Sequence, residues 1–541
     1  MTKRQELGVV IQALKKAVAF QDDLVKKLAG VPLIERAIGK AKTMAKSDRS
    51  VYVLTDSEEI ELIAIRNGTS VFYDSKMTGE ILSMNNEVKY LENIAIENEY
   101  LVVLSPYAPF LMLETILKAH ATLKKSGCNA LRPLISMKAI VENGDYDPTV
   151  ATLFQPTKKN YIVKPSGAFV IVKAEILLRE PDYSLDVMKW QTEDELFEIE
   201  SYHDWWVAEK VLKRKRIVFR VIGNETVGMG HIYRALTLAH AITDHEVLFV
   251  CESGDRNAVD KLAGYDYWFE SYDSDEILEK VIKLKPDLVI NDMLSTSAHD
   301  IRELKKHAIH VINFEDLGSG ATESDLTINE LYDVPQISGD KIVWGHDYFF
   351  VRDEFNDATP VPYKDTVTGL LLTFGGTDHI NLTRKIFETV YKFCINNNIF
   401  IYIVTGPGYK DYDQLSLDIK GMKNVSITHD TGVISSLMEK VQLAITSNGR
   451  TVYELAHMNI PAIVVSQHER ENTHLFSTRD NGFLNVGVYD GQGKEKVVQS
   501  ELEQLVTKNG YRKKLYEKME PYNFDANKTK ILTLVDEILD R

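Results

Sequence analysis

The sequence predicts an α/β protein of several domains, with parallel sheets covered by helices. Three observations carry this. Short apolar runs of strand type alternate with helix-period segments almost throughout, the pattern of βαβ units. The 541 residues exceed what one hydrophobic core holds and favour domains of about 100–200 residues. The hydrophobic fraction of 44% and the charged fraction of 26% are those of globular proteins, so disorder is not expected.

In the first part, Val9–Ile11, Val51–Leu54, Leu101–Leu104 and Ala168–Val172 read as strands, with helices at Leu33–Ala45, Glu58–Arg66 and Leu113–Lys125. The basic stretch KVLKRKR (210–216) reads as a solvated helix face that closes this unit, and IVFRV opens a fresh buried strand. A second series follows, with strands at Ile217–Val221, Val247–Cys251, Leu288–Asn291, His310–Phe314, Leu370–Phe374, Phe400–Val404, Leu443–Ile445 and Ala462–Val465. Midway, NDATPVPYKD (356–365) concentrates proline and small polar residues and reads as a linker between two halves. The expected domains are therefore 1–215, 216–360 and 361–541. Two doubly wound halves would bind ligands at the carboxyl ends of their strands, in the cleft between them.

The net charge of −16 argues against a general nucleic-acid binder, because phosphate backbones attract positive surfaces. Three dispersed cysteines, Cys128, Cys251 and Cys394, form no CxxC pair, which excludes a disulfide framework and suits a reducing cytoplasm. The apolar run after Lys3 and Arg4 is too short for a signal peptide, and no stretch approaches the ~18 apolar residues of a membrane span. A cytoplasmic protein with no membrane partner is expected. A homo-oligomer stays open.

The sharpest chemistry lies in RVIGNETVGMGHIYR (220–234), a strand, a glycine turn and a helix. Gly228 and Gly230 allow a tight turn and close backbone approach to a ligand. The helix start offers free amides and a positive dipole end to a phosphate. His231 sits at the turn, where an imidazole can take a proton from water or a hydroxyl. A capping or core histidine is the competing reading, and the combined GMGHxxR pattern, with Arg234, outweighs it. Three downstream segments repeat the theme: FGGTD with Gly375, Gly376, Thr377 and Asp378; TSNGRTVYE (446–454) with Ser447, Asn448 and Glu454; and VVSQHERENTH (464–474) with Gln467, Glu471 and Asn472. Each follows a strand, and Glu454 is placed to accept from a ribose.

GMGHIYR, WGHDYFFVRDEF (344–355), FGGTD and SNGRTVYELAHMNIPAIVV together resemble the UDP-sugar hydrolase of pseudaminic acid biosynthesis and its relatives in spore-coat polysaccharide synthesis. The resemblance spans roughly residues 216–500. It implies the two-lobed, double-Rossmann (GT-B-like) fold of nucleotide-sugar glycosyltransferases. His231 would activate a water that displaces UDP from a modified amino sugar, with FGGTD and 447–454 holding the UDP. The chain departs from the family at Ile222, where the family has aspartate, and at Asn291-Asp292-Met293-Leu294 in place of an IIDHY-type segment.

Residues 7–212 resemble the sugar cytidylyltransferases that activate sialic-acid-like (nonulosonic) sugars with CTP, through IQALKKAVAFQDDLVKKLAGVPLIERAI (11–38), VYVLTDSEEIELIA (51–64), LVVLSPYAPFL (101–111), GAFVIVKAEIL (167–177) and IESYHDWWVAEKVL (199–212). A nucleotidyltransferase-type Rossmann-like domain is implied. Its triphosphate loop departs from the family: no glycine frees the backbone, and Asp22 and Asp23 bring negative charge. Lys15, Lys16 and Lys26 would supply positive charge. The family's Mg²⁺-binding aspartates correspond to Glu198 and Glu200. The expectation is a bifunctional enzyme of nonulosonate surface-glycan biosynthesis. It would take a UDP-amino sugar, and CTP with a nonulosonic acid in an N-terminal unit of altered activity. The rivals are a glycosyltransferase using a UDP-sugar donor and a non-catalytic nucleotide-binding scaffold.

Overall fold

The computed structural model describes residues 4–15, 23–45, 50–77, 88–139, 160–177, 186–192, 196–224 and 227–541. Two compact units divide the chain, Met1–Lys213 and Arg214–Arg541.

In the first unit, β1 (Gln5–Gln12) is flanked in parallel by β4 (Val51–Thr55) and β6 (Asn98–Leu104), with β5 (Ser70–Tyr73) beyond β4. β9 (Phe169–Lys173) runs antiparallel to β6 and to β7 (Ala130–Ala139), and β7 also pairs β8 (Asn160–Pro165) and β10 (Val187–Gln191). A two-residue ladder, β2 (Lys27–Leu28) with β3 (Val31–Pro32), precedes the helix Leu33–Met44. That helix buries Leu33, Ile34, Ala37, Ile38, Ala41 and Met44, one stripe at helical spacing, against β1 and its neighbours. The helix Tyr202–Lys213 ends the unit inside the basic stretch.

The second unit holds two all-parallel sheets. The first comprises β11 (Arg216–Val221), β12 (Glu246–Glu252), β13 (Trp268–Tyr272), β14 (Leu288–Asp292), β15 (His310–Phe314), β16 (Leu326–Asn329) and β17 (Ile342–Trp344). Its order is β13-β12-β11-β14-β15-β16-β17. The second comprises β18 (Gly369–Thr373), β19 (Phe400–Thr405), β20 (Val425–His429), β21 (Leu443–Thr446), β22 (Ala462–Ser466) and β23 (Phe483–Val488), ordered β20-β19-β18-β21-β22-β23. Each is doubly wound, with the strand order reversing beside its first strand. β14, β18 and β22 are buried along their whole length, as strands covered on both faces must be.

Neither lobe is one continuous stretch. Phe349 and Phe350 are both fully buried, yet Phe349 joins the core of the second sheet and Phe350 that of the first. Leu331, Tyr332, Val351, Phe355 and Val361 also pack with the second sheet, so the chain changes lobes before the proline-rich segment at 356–365. The last helix, Asp525–Leu539, expected with the second half, returns to the first and buries Ile531, Val535, Ile538 and Leu539 there.

Candidate active site

The turn after β11 is pinned locally. The Gly228 amide donates to the Asn224 carbonyl at 2.9 Å with φ +85°, a conformation that glycine adopts without a Cβ penalty. The helix Gly230–Ala241 begins there, and His231 and Arg234, one turn apart, are both buried on one face. That face meets the carboxyl ends of β14, β15 and β16. Three buried carboxylates from these strand ends meet that face: Asp292, Glu315 and Glu330.

His231 Nδ1 lies 2.7 Å from Asp292 Oδ1. A carboxylate there holds the Nδ1–H tautomer, which leaves Nε2 as the lone-pair nitrogen. Nε2 faces Glu315 Oε2 at 3.6 Å. Arg234 binds all three acids, with Nε at 2.8 Å from Asp292 Oδ2 and Nη1 at 2.8 Å from Glu330 Oε1 and 3.2 Å from Glu315 Oε1. Burial pushes the Asp292 carboxyl up, but the Arg234 guanidinium and then His231 hold it below the usual range. Burial likewise opposes ionisation of Glu315, and the neighbouring positive charge, Arg234 foremost, keeps it far below that range. The same carboxylates hold Arg234 charged against its own burial. Arg234, assigned to substrate from the sequence, is thus engaged inside the protein, where it orders the acids around His231.

The second lobe reaches this cluster through Arg450, which ion-pairs Glu330 and donates to the Phe350 carbonyl at 3.2 Å. A Cβ at Gly230 would stand 3.1 Å from Arg450 Cδ, and one at Gly376 would stand 3.4 Å from the Met229 amide. The glycine turns of the two lobes therefore face each other. A third turn supports them: the Gly408 amide donates to the Gly376 carbonyl at 2.9 Å, and a Cβ at Gly406 would fall 2.4 Å from Gly376 Cα. Beside these turns, at the ends of β21 and β22, Thr446 Oγ1, Ser466 Oγ and Gln467 Oε1 are buried without a hydrogen-bond partner. Buried polar atoms of that kind call for a ligand or water.

Several residues expected to touch substrate have other work. Asp378 caps the helix Leu382–Asn396, accepting from the Leu382 and Thr383 amides at 2.8 and 2.7 Å. Glu454, in the first turn of Thr451–His457, accepts from Arg352 Nε at 3.0 Å. Asn448 brackets the Glu471 and His474 carbonyls at 2.7 and 2.9 Å. Asn472 is exposed and lines a separate depression with His474, Ser477, Arg479, Asn485 and Glu501. Gly375 (φ +78°), Gly376 and the half-buried Thr377 stay at the interlobe turn, with buried Ser447 behind Gly375. The sequence reading gave no role to Asp292, Glu315, Glu330 or Arg450, although Asp292 ends LVIND and Arg450 stands inside SNGR.

In the first unit, Lys15 pairs with Glu59 at 3.1 Å and Lys26 donates to Tyr202 Oη at 2.8 Å. Lys16 and Asp22 lie outside the described residues. Asp23 is buried, accepting from Tyr107 Oη at 3.1 Å. Glu198 Oε1 accepts from Ser166 Oγ and the Gly167 amide, both at 2.8 Å, while the Glu200 side chain is exposed. Among the described residues no group of three His, Cys, Asp or Glu side chains is arranged to hold a metal ion. Glu198 closes its own loop through Oε1. No helix among the described residues is long and apolar enough to cross a membrane.

Residues 21–197 match the cytidylyltransferase family model. An uncharacterized protein of Methanocaldococcus jannaschii is 26% identical over 315 residues, 51% of this chain, and the match covers 64% of its length. Spore coat polysaccharide biosynthesis protein SpsG of Bacillus subtilis is 23% identical over 48% of this chain and 80% of its own. UDP-2,4-diacetamido-2,4,6-trideoxy-β-L-altropyranose hydrolase of Campylobacter jejuni is 24% identical over 46% of this chain and 91% of its own. Among solved structures, MurG of Acinetobacter baumannii matches 60% of this chain and 99% of its own, at 12% identity and a TM-score of 0.44. The chain thus combines a cytidylyltransferase-like N-terminal segment with similarity to a protein of polysaccharide biosynthesis and to a UDP-sugar hydrolase.

Proposed function

We propose that the second unit hydrolyses a UDP-amino sugar, in the biosynthesis of a nonulosonate surface glycan. The observation that carries this is the His231–Asp292 pair at 2.7 Å, at the turn that faces the glycine loops of the opposite lobe. Asp292 orients the imidazole, and Nε2 takes a proton from the attacking water. The UDP lies along Gly375 and Gly376, and departs with the bonding electron pair. The N-terminal unit is a cytidylyltransferase of altered or reduced activity, which would join CMP from CTP to a nonulosonic acid. CTP and a UDP-sugar are therefore the two ligands of the chain.

Release of UDP from a UDP-amino sugar without any acceptor tests the hydrolytic reading. If UDP appears only when a sugar acceptor is added, the unit is a transferase instead. Calorimetry on the full chain should show UDP binding tighter than ADP or CDP. An equal response to all three would remove the uridine assignment.

A further inference from the structure

We propose that Glu315 is the second acceptor for the attacking water, holding it against His231 Nε2. The inference rests on the hydrolytic reading above and names a group which that reading leaves idle.

Glu315 follows β15 with φ +50°, in the left-handed region that side-chain-bearing residues avoid. The surroundings over-determine this conformation. The Glu315 amide donates to the Ile328 carbonyl at 3.0 Å. The next residue, Asp316, is wholly buried and accepts from Thr296 N (3.1 Å), Thr296 Oγ1 (2.5 Å), Asn313 Nδ2 (2.7 Å) and Gly318 N (2.7 Å). Backbone strain held so firmly is characteristic of groups that must point one way. Here it points a carboxylate at the imidazole.

The gap between the two is informative. At 3.6 Å, Nε2 and Oε2 are too far apart for a direct hydrogen bond. With Nδ1 donating to Asp292, Nε2 and Oε2 both face the gap as acceptors, and a single donor that reaches both satisfies them. One water can donate a hydrogen to each. Arg234 Nη1, 3.2 Å from Oε1, balances the carboxylate's charge without a hydrogen bond to Oε1, and Oε2 is the oxygen turned to Nε2. In the reaction the water oxygen bonds to the anomeric carbon as the carbon–oxygen bond to UDP breaks, its electron pair leaving on the diphosphate. One proton passes to Nε2. The second hydrogen stays on the new hydroxyl, held by Glu315, so the oxygen lone pair is aimed before attack.

The test uses the full chain in two arms. In a crystal structure with UDP, an ordered oxygen within about 2.6–3.2 Å of both Nε2 and Oε2 is expected. An empty gap, or Glu315 turned away, overturns the proposal. In the kinetic arm, a panel of UDP-N-acetylglucosamine, UDP-N-acetylgalactosamine and UDP-glucose supplies the substrate that the wild type hydrolyses. Glu315→Gln presents an amide that donates to Nε2 itself. It should lower kcat by about 10²-fold with KM within about threefold. Unchanged kcat, or a rise in KM that accounts for the whole loss, overturns it. Should Glu315→Gln not fold, Glu315→Asp, which tolerates the left-handed backbone, replaces it with the same expected split. If no UDP-sugar is hydrolysed yet the bridging oxygen is present, the water site stands and only the hydrolytic reading falls.

Discussion

His231 and Asp292 are 61 residues apart and meet because the helix after β11 and the end of β14 share the switch point of the first sheet. His231→Ala should lower the rate of UDP release by ~10²–10⁴ while UDP affinity and melting temperature stay near wild type. Joint loss of stability and affinity would make His231 a packing residue. Asp292→Asn should lower kcat by at least ~10²-fold by releasing the imidazole tautomer. It should also cost stability, because Arg234 loses one of its buried partners. His231 was legible because glycine, histidine and arginine crowd into one short motif. Glu315 was not, since nothing in Phe314-Glu315-Asp316 announces a positive φ or a partner 84 positions back. Asp378 was misread because an acid before a helix both caps and binds, and only the Leu382 and Thr383 amides decide which.

Among elements, the interlobe turns depend on glycine where backbone meets backbone. Gly406→Ala would drive a Cβ into Gly376, 2.4 Å from its Cα, where no side chain can yield. UDP affinity should fall at least about tenfold in isothermal titration, with the lobes still folded. The loop 467–474 carries a pH signature. Burial raises the Glu471 carboxyl to about 7, despite the amide of Gln467 donating to it at 2.7 Å. Its folded value exceeds its unfolded one, so the stability it adds is complete below about 4.5 and is lost as pH rises through about 7. Melting temperature should fall more steeply between about pH 5 and 8 in the wild type than in Glu471→Gln; parallel curves would contradict this. Many strands were readable from local apolar runs, and β4, β18 and β22 fall on them, whereas β13, β16, β17, β20 and β23 were not read as strands.

For the molecule as a whole, the sequence could not show which lobe a helix serves, since an amphipathic stripe looks alike whatever covers it. The return of Asp525–Leu539 to the first lobe predicts that Val535→Ala, though distant in sequence, destabilises that lobe. A cost of about 1–3 kcal/mol in urea unfolding is expected, where an exposed helix would show none. The N-terminal unit should form little CMP-sugar from CTP, a common sialic acid and Mg²⁺, because Asp22 and Asp23 stand where the triphosphate would meet positive charge. Robust turnover would show that its lysines suffice. The central claim is that the second unit places water on an anomeric carbon, and isotope transfer reads this directly. When the full chain turns over a UDP-amino sugar in H₂¹⁸O, the released sugar should carry ¹⁸O at its anomeric hydroxyl and the UDP should carry none. Label on the UDP phosphate, or sugar released only onto an added acceptor, would contradict it.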